Sequence, residues 1–273
     1  MRKIALNIRP FVRLIWKNQE ARALWAPRLT RISRMYSTAE WDMTKLGYRK
    51  AATAHITSNN MWEVLNKVEE DGMVFSPIAK SAYYEGFSHT HIHPQEGEPY
   101  FIYGALAKDK ETALAFKHHS SDRELVHLEL GKLLGYPECC INAFNQRWKE
   151  GKIDPMWDAA LATEGATLME KGGTSCAKIK VLPECNQLLR YFGARITSHL
   201  PCSFSCKETA RIGANWVKVM RRIDREALEW LLELLSLPLT WDAYRGILQV
   251  SNKLFLGITT TGYTDSKFVI EAK

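Results

Sequence analysis

The sequence predicts an α+β fold: a mostly helical core, a short mixed region at the N-terminus and a small antiparallel β-meander at the C-terminus. Three observations carry this reading. Apolar residues recur at helical spacing in RELVHLELGKLLG and in the stretch around LEWLLELL. PYFIYGALA has the aromatic and β-branched content of a strand. Near the C-terminus, ILQV, KLFLGITTTG and SKFVIEA are short apolar runs set off by turn residues. With 273 residues, 46% of them apolar, the chain can bury a core without disulfides. The change in character near residue 100 suggests a basic N-terminal region, 1–100, and a core domain, 101–273, that holds the cysteine motifs and the meander.

Taken in order, residues 11–25 read as a basic amphipathic helix, with Phe11, Leu14, Ile15, Ala21 and Trp25 on one side and Pro27 as its stop. A second helix is expected over Trp62–Glu70, a loop over Phe87–Pro99, and helices over KETALAFKHH and RELVHLELGKLLG, the latter ended by Gly135. Pro137 is placed to open a helix that runs to about Glu150 with Ile141, Phe144 and Trp148 inward. Gly172-Gly173 is a turn signal. Pro201 is read as the start of a helix whose inner stripe is Cys202, Cys206, Thr209, Gly213, Trp216 and Met220, and a further helix covers Asp224–Leu235. The richest apolar run, LEWLLELLSLPL, is interrupted by Glu229, Glu233 and Pro238 and falls short of the roughly 20 residues of a membrane span.

The net charge of +7 is concentrated early: nine Lys and Arg precede Ala39, with Glu20 the only acid among them. Residues 1–36 are therefore a candidate contact for nucleic acid or an acidic partner, with a solvated basic face as the plainer reading. The absence of a secretory signal pattern favours the cytoplasm, where cysteines stay reduced and available as ligands or nucleophiles. Neither a GxxxxGK phosphate loop nor a GxGxxG fingerprint is present, which argues against ATP-driven or classical dinucleotide chemistry.

Four of the six cysteines fall in two similarly built sites, Tyr136-Pro137-Glu138-Cys139-Cys140 and His199-Leu200-Pro201-Cys202-Ser203-Phe204-Ser205-Cys206. A helix start favours negative charge and lowers a thiol pKa, and the thiolate is the form that binds metal. One cysteine on an apolar face is ordinarily core. Two close pairs, each behind a proline, point instead to a shared centre. Adjacent Cys139 and Cys140 would diverge by about 100° on a regular helix, a poor match to one tetrahedral zinc, so an iron–sulfur cluster is favoured over zinc. His199 is a further candidate ligand or a hydrogen-bond partner of a bound sulfur. Cys176 and Cys185 lack such context and read as core or loop, with Cys185 a lesser candidate for an additional ligand.

GKLLGYPECCINAF with the later HLPCSFSC resembles the signature of domain-of-unknown-function family 483, whose members carry a GYPxCC element and a downstream HxPCxxxC element. The resemblance covers about residues 101–222. It implies that Cys139, Cys140, His199, Cys202 and Cys206 belong together, and it implies no particular activity.

His89, His91 and His93 with Glu96 and Glu98 form a second metal-capable pattern, interrupted by Pro94 and Gly97 and best read as a polar loop. Catalytic candidates are His199 and Cys140, with Cys202 as an alternative nucleophile. The leading expectation is a cysteine-ligated metalloenzyme, iron–sulfur or zinc, acting on a small molecule by Lewis-acid or redox chemistry. A structural-zinc protein docking through its basic N-terminus and a metal-free thiol enzyme are the alternatives.

Overall fold

The computed structural model describes residues 11–83, 92–121, 126–150, 155–260 and 267–273. The chain runs β1 (Val12–Trp16), α1 (Gln19–Lys45), β2 (Ala51–Thr57), α2 (Met61–Glu70), β3 (Val74–Ala82), β4 (Tyr100–Ala107), α3 (Lys110–Ser121), α4 (Val126–Leu133) and α5 (Glu138–Lys149). It continues through α6 (Pro155–Leu161), β5 (Thr167–Lys171), β6 (Thr174–Ile179), α7 (Lys207–Ile223), α8 (Arg225–Ser236), β7 (Leu239–Asp242), β8 (Ile247–Val250), β9 (Phe255–Thr259) and β10 (Phe268–Ala272).

The α+β class stands, but its expected architecture does not. Seven strands form one sheet in the order β1-β9-β8-β7-β10-β6-β5, and β2-β4-β3 form a second. The large sheet is mixed, because β10 runs parallel to β6 while its other neighbour, β7, is antiparallel. What looked like a local C-terminal meander is thus the middle of a sheet that gathers strands from both ends of the chain.

The N-terminal correction has a local cause. VRLIW satisfies a period of two as well as a helical one: Val12, Leu14 and Trp16 are half-buried while Arg13 and Ile15 are exposed. Pairing with β9 selects the strand. Asn18 then caps α1 by accepting the Ala21 N–H at 2.8 Å, and the helix continues through Pro27 to Lys45. Proline removes one helical hydrogen bond, but Trp25, Leu29, Ile32, Met35 and Ala39 are buried along α1, and that packing outweighs the loss.

The principal core lies between the large sheet and α1, α6, α7 and α8, with Trp241, Phe255, Phe204 and Met220 fully enclosed. On the small sheet, Ala51, Ala105 and Ala107 face α3, whose Ala113 and Phe116 cover them. Their neighbours Ala52 and Leu106 face the other way, toward Val68 of α2 and Trp41 of α1. Gly172 and Gly173, with φ of 55° and 74°, form the two-residue turn that joins β5 to β6, a conformation glycine adopts without strain. Among the described residues no helix is long and apolar enough to cross a membrane.

Two of the nine early basic residues, Arg28 and Arg31, are engaged within the fold. Arg31 donates to Asp224 at 2.5 Å and Glu226 at 2.8 Å, Arg28 lies 3.7 Å from Glu233, and both guanidiniums sit over the Trp230 ring. Asp224 also caps α8, accepting the Ala227 N–H at 3.1 Å, and its carboxyl pKa is lowered chiefly by the Arg31 hydrogen bond. Asp224→Ala should cost about 1–2 kcal/mol in urea unfolding at pH 7, mostly through the lost cap. Since a lowered carboxyl pKa stabilises above the unfolded value, the wild-type advantage should be full at neutral pH and fade as pH falls through the acid range below about 4.

Candidate metal centre

The two cysteine motifs meet. The Sγ atoms of Cys139, Cys140, Cys202 and Cys206 all lie within 4.8 Å of one another. Cys139 is 3.8 Å from Cys140 and 3.8 Å from Cys206, and Cys140 is 3.7 Å from Cys206.

Each sulfur arrives differently. Pro137 is the N-cap of α5, one position before its predicted place, with φ of −60° and ψ of 138°. Cys139 and Cys140 are the second and third helical residues, and their divergent Cα–Cβ bonds still allow the sulfurs to converge through side-chain rotation. Cys140 is buried and Cys139 exposed, so the centre has an inner and an outer side.

The second motif departs from expectation, because Cys202 is not helical. α7 begins at Lys207, and Cys206 is its N-cap, its sulfur accepting the Thr209 N–H at 3.4 Å. Cys202 to Cys206 form a turn closed by the Cys206 N–H on the Ser203 carbonyl at 3.2 Å. Phe204 explains the break: it is fully buried in the principal core, and its N–H donates to Thr163 Oγ1 at 3.0 Å. A helix from Pro201 could not give Phe204 that direction while keeping both sulfurs on the centre.

Sequence reasoning did not single out Arg147. Its Nη2 donates to the Cys202 carbonyl at 2.8 Å and its Nε lies 3.8 Å from Asp158, so a buried cation on α5 holds the cysteine turn. The Cys202 N–H in turn donates to Cys140 Sγ at 3.3 Å. Backbone N–H groups directed at sulfur, two helix starts and a nearby guanidinium all favour thiolate.

The thiols do not ionise alike. Cys202 is pulled down to about 5, first by its hydrogen bond with Cys140 and then by Cys206, Cys139 and Arg147, against opposing burial. Cys139 is pushed up to about 11 by burial and by Cys202 and Cys206, and Cys140 is raised by its hydrogen bond to Cys202 and by burial. One negative charge is favoured and the next is resisted. A metal dication removes that resistance.

His199 stands behind the sulfurs. Its Nε2 is 2.9 Å from Thr209 Oγ1, which is 3.3 Å from Cys140 Sγ. Burial and the charge of Arg49 lower its pKa to about 3, which leaves the ring neutral. Cys185 packs against Cys140 and Cys206, but its thiol points to the Cys206 carbonyl at 3.5 Å, and burial raises it to about 12. Cys176 is buried on β6. In the histidine-rich segment, His89 and His91 lie outside the described residues, while His93 and Glu96 are exposed.

Fold and site together define an α+β protein with a four-cysteine centre of the kind that can hold a metal ion. Residues 114–237, which hold both cysteine motifs, match the model of the family described as protein of unknown function (DUF483). The matched region begins and ends somewhat later than the motifs alone implied. Neither curated proteins nor solved structures give a match.

Serine is itself a good N-cap, so Cys206→Ser should preserve the start of α7 while removing one sulfur. Titration with Co²⁺, followed by its visible absorption, should show tight binding lost in this variant and retained in Cys185→Ser. Failure of Cys185→Ser to bind would identify Cys185 as a ligand.

Proposed function

We propose that Cys139, Cys140, Cys202 and Cys206 hold a single tetrahedral zinc ion whose role is to lock α5, the Cys202–Cys206 turn and the start of α7 together. The sulfur spacing carries this reading. A Zn–S bond of about 2.3 Å gives a tetrahedron whose sulfurs are about 3.8 Å apart; Cys139, Cys140 and Cys206 are 3.7–3.8 Å from one another, and the Cys202 sulfur lies within 4.8 Å of each. A cluster distributes its cysteines over different irons and holds their sulfurs farther apart, so the same spacing supports zinc over the iron–sulfur alternative.

Four protein sulfurs also complete a tetrahedron. Catalytic zinc sites keep a position for water or substrate, whereas fully protein-ligated sites are structural. The donor set therefore supports a structural centre more than a Lewis-acid or redox enzyme. When bound, the ion would supply the positive charge that lets these thiols ionise together and a cross-link that adds to the Arg147 and Cys202 backbone contacts. His199 would position Thr209, and through it Cys140, without reaching the ion.

The metal-free thiol-enzyme reading draws less support, since His199 Nε2 is occupied by Thr209 and the ring is held neutral by burial. Docking of nucleic acid through residues 1–36 would have to rely on basic residues other than Arg28 and Arg31, which already face acids on α8 or its cap. A zinc–thiolate centre is at home in a compartment that keeps thiols reduced, as the cytoplasm does.

Protein purified without added metal should be colourless and carry one zinc per chain by elemental analysis. Stripping the ion with a chelator should lower the melting temperature by about 10 °C, taking about 4 kcal/mol for a site a thousandfold above its Kd and roughly 2–4 °C per kcal/mol. Brown protein with iron and acid-labile sulfide would overturn the reading.

A further inference from the structure

Beside the cysteine centre, on the other side of Thr209, lies a group of charged and hydroxyl side chains that the metal reading does not use. Arg49 arrives from the turn after α1, Tyr36 and Glu40 from α1, and Arg195 and His199 from the segment leading to the second cysteine motif. Trp216 of α7 backs them: Tyr36 stacks on its ring at 5.6 Å, and the Arg49 guanidinium lies 5.7 Å from it. The Arg195 guanidinium in turn lies over the Tyr36 ring at 4.3 Å. Arg49, Arg195 and Glu40 all act electrostatically on the Tyr36 hydroxyl.

The charges do not balance. Arg49 Nη1 is 3.5 Å from Glu40, the carboxylate that also faces Arg195. Two guanidiniums thus share one acid, and His199 is neutral. The Arg49 side chain is only 2% exposed, so its charge cannot rely on water.

The hydrogen bonds do not balance either. Arg49 donates through Nε to the Ala51 carbonyl and through Nη1 to Ser198, and Arg195 Nη1 donates to the Arg190 carbonyl. Among the described residues, Arg49 Nη2, Arg195 Nε and His199 Nδ1 are buried without a partner, and the Tyr36 hydroxyl, which accepts from Arg195, has no acceptor for its own proton. Each such group is costly when left unpaired, and guanidinium and hydroxyl donors gathered on an excess positive charge call for an acceptor that carries negative charge.

We propose that this niche binds a small oxyanion, a carboxylate or phosphate group, held by the free guanidinium edges of Arg49 and Arg195 and by the Tyr36 hydroxyl. Glu40, Arg195 and Ser198 are half-buried at the rim of the niche, while Arg49, Tyr36 and His199 form its enclosed floor. The anion supplies acceptor oxygens to the unpaired donors and neutralises the excess charge. Water would meet the first need and leave the second. The assignment is independent of which metal occupies the cysteines.

The test uses the full chain with its metal bound, titrated at constant ionic strength with inorganic phosphate, formate or acetate and followed by thermal unfolding and calorimetry. Saturable stabilisation by phosphate alone identifies a phosphate group as the ligand; stabilisation by formate or acetate alone identifies a carboxylate. Tyr36→Phe removes a hydroxyl whose oxygen meets Arg195 and whose proton has no acceptor, so the anion-free protein should fold with little change in stability, while anion affinity should fall roughly ten- to hundred-fold. Arg195→Lys, which keeps the charge and discards the planar fork, should weaken binding similarly. No saturable effect from any of the three anions overturns the proposal, as does an effect unchanged in both variants. Metal analysis of each sample separates this failure from that of the zinc reading, which would appear as absent zinc.

Discussion

The mutual approach of four cysteine sulfurs is the constraint around which the rest of this molecule is arranged. Thiolates in contact repel, and thiols in contact pack as small hydrophobes. The surroundings oppose the second description: helix starts, backbone N–H groups and Arg147 all favour negative charge at this point. An environment that favours anions and gathers four sulfurs able to become mutually repelling anions is one that a cation could complete. The easy loss of a proton from Cys202 and the resistance of Cys139 and Cys140 express the same conflict within the sulfurs.

The frame bears the strain of holding them there. α7 starts on Cys206 and extends into the principal core through Trp216, Val219 and Met220. Phe204 anchors the cysteine turn in that same core, and Arg147 fastens it to α5. At Gly213 a side chain would bring its Cβ within 2.6 Å of the Glu184 side chain, so α7 lies directly against the Pro183–Cys185 turn. At Gly131 an added Cβ would come within 2.7 Å of Ile141, so α4 and α5 are equally close. Both helices that present cysteines are therefore positioned by contacts in which one methyl group of extra volume has no room.

The cysteine pairing was readable from the sequence because its cues are local: a proline, a helix start and close spacing repeated twice. The geometry within the second pair was not. PCSFSC scans as a helix by cysteine spacing, and only the destination of Phe204, set by residues far along the chain, shows that it must be a turn. The same division holds for the fold. Helices α2 to α5, α7 and α8 follow from periodicity and caps. β1 was concealed because VRLIW fits two periods, and β5 and β6 because TLMEK and TSCAKI are too polar and short to announce themselves. The parallel pairing of β10 with β6 joins segments separated by most of the chain's second half, which no local pattern encodes. Arg49 and Arg195 had no distinguishing context in the sequence either; their importance comes from sharing, among the described residues, the one acid Glu40.

Thr209 joins the two polar features of the protein. Its N–H donates to Cys206 Sγ, and its hydroxyl lies between His199 Nε2 and Cys140 Sγ. A hydroxyl has one proton and so donates to only one of those two neighbours at a time. If it donates to a thiolate at Cys140, it accepts from His199 Nε2, and the neutral ring must then present an unprotonated Nδ1 on its far side. If it donates to His199, Nδ1 carries the proton. The charge state of the sulfurs therefore selects the tautomer of His199. Through that tautomer, the cysteine centre determines whether the floor beneath Arg49 offers a donor or an acceptor.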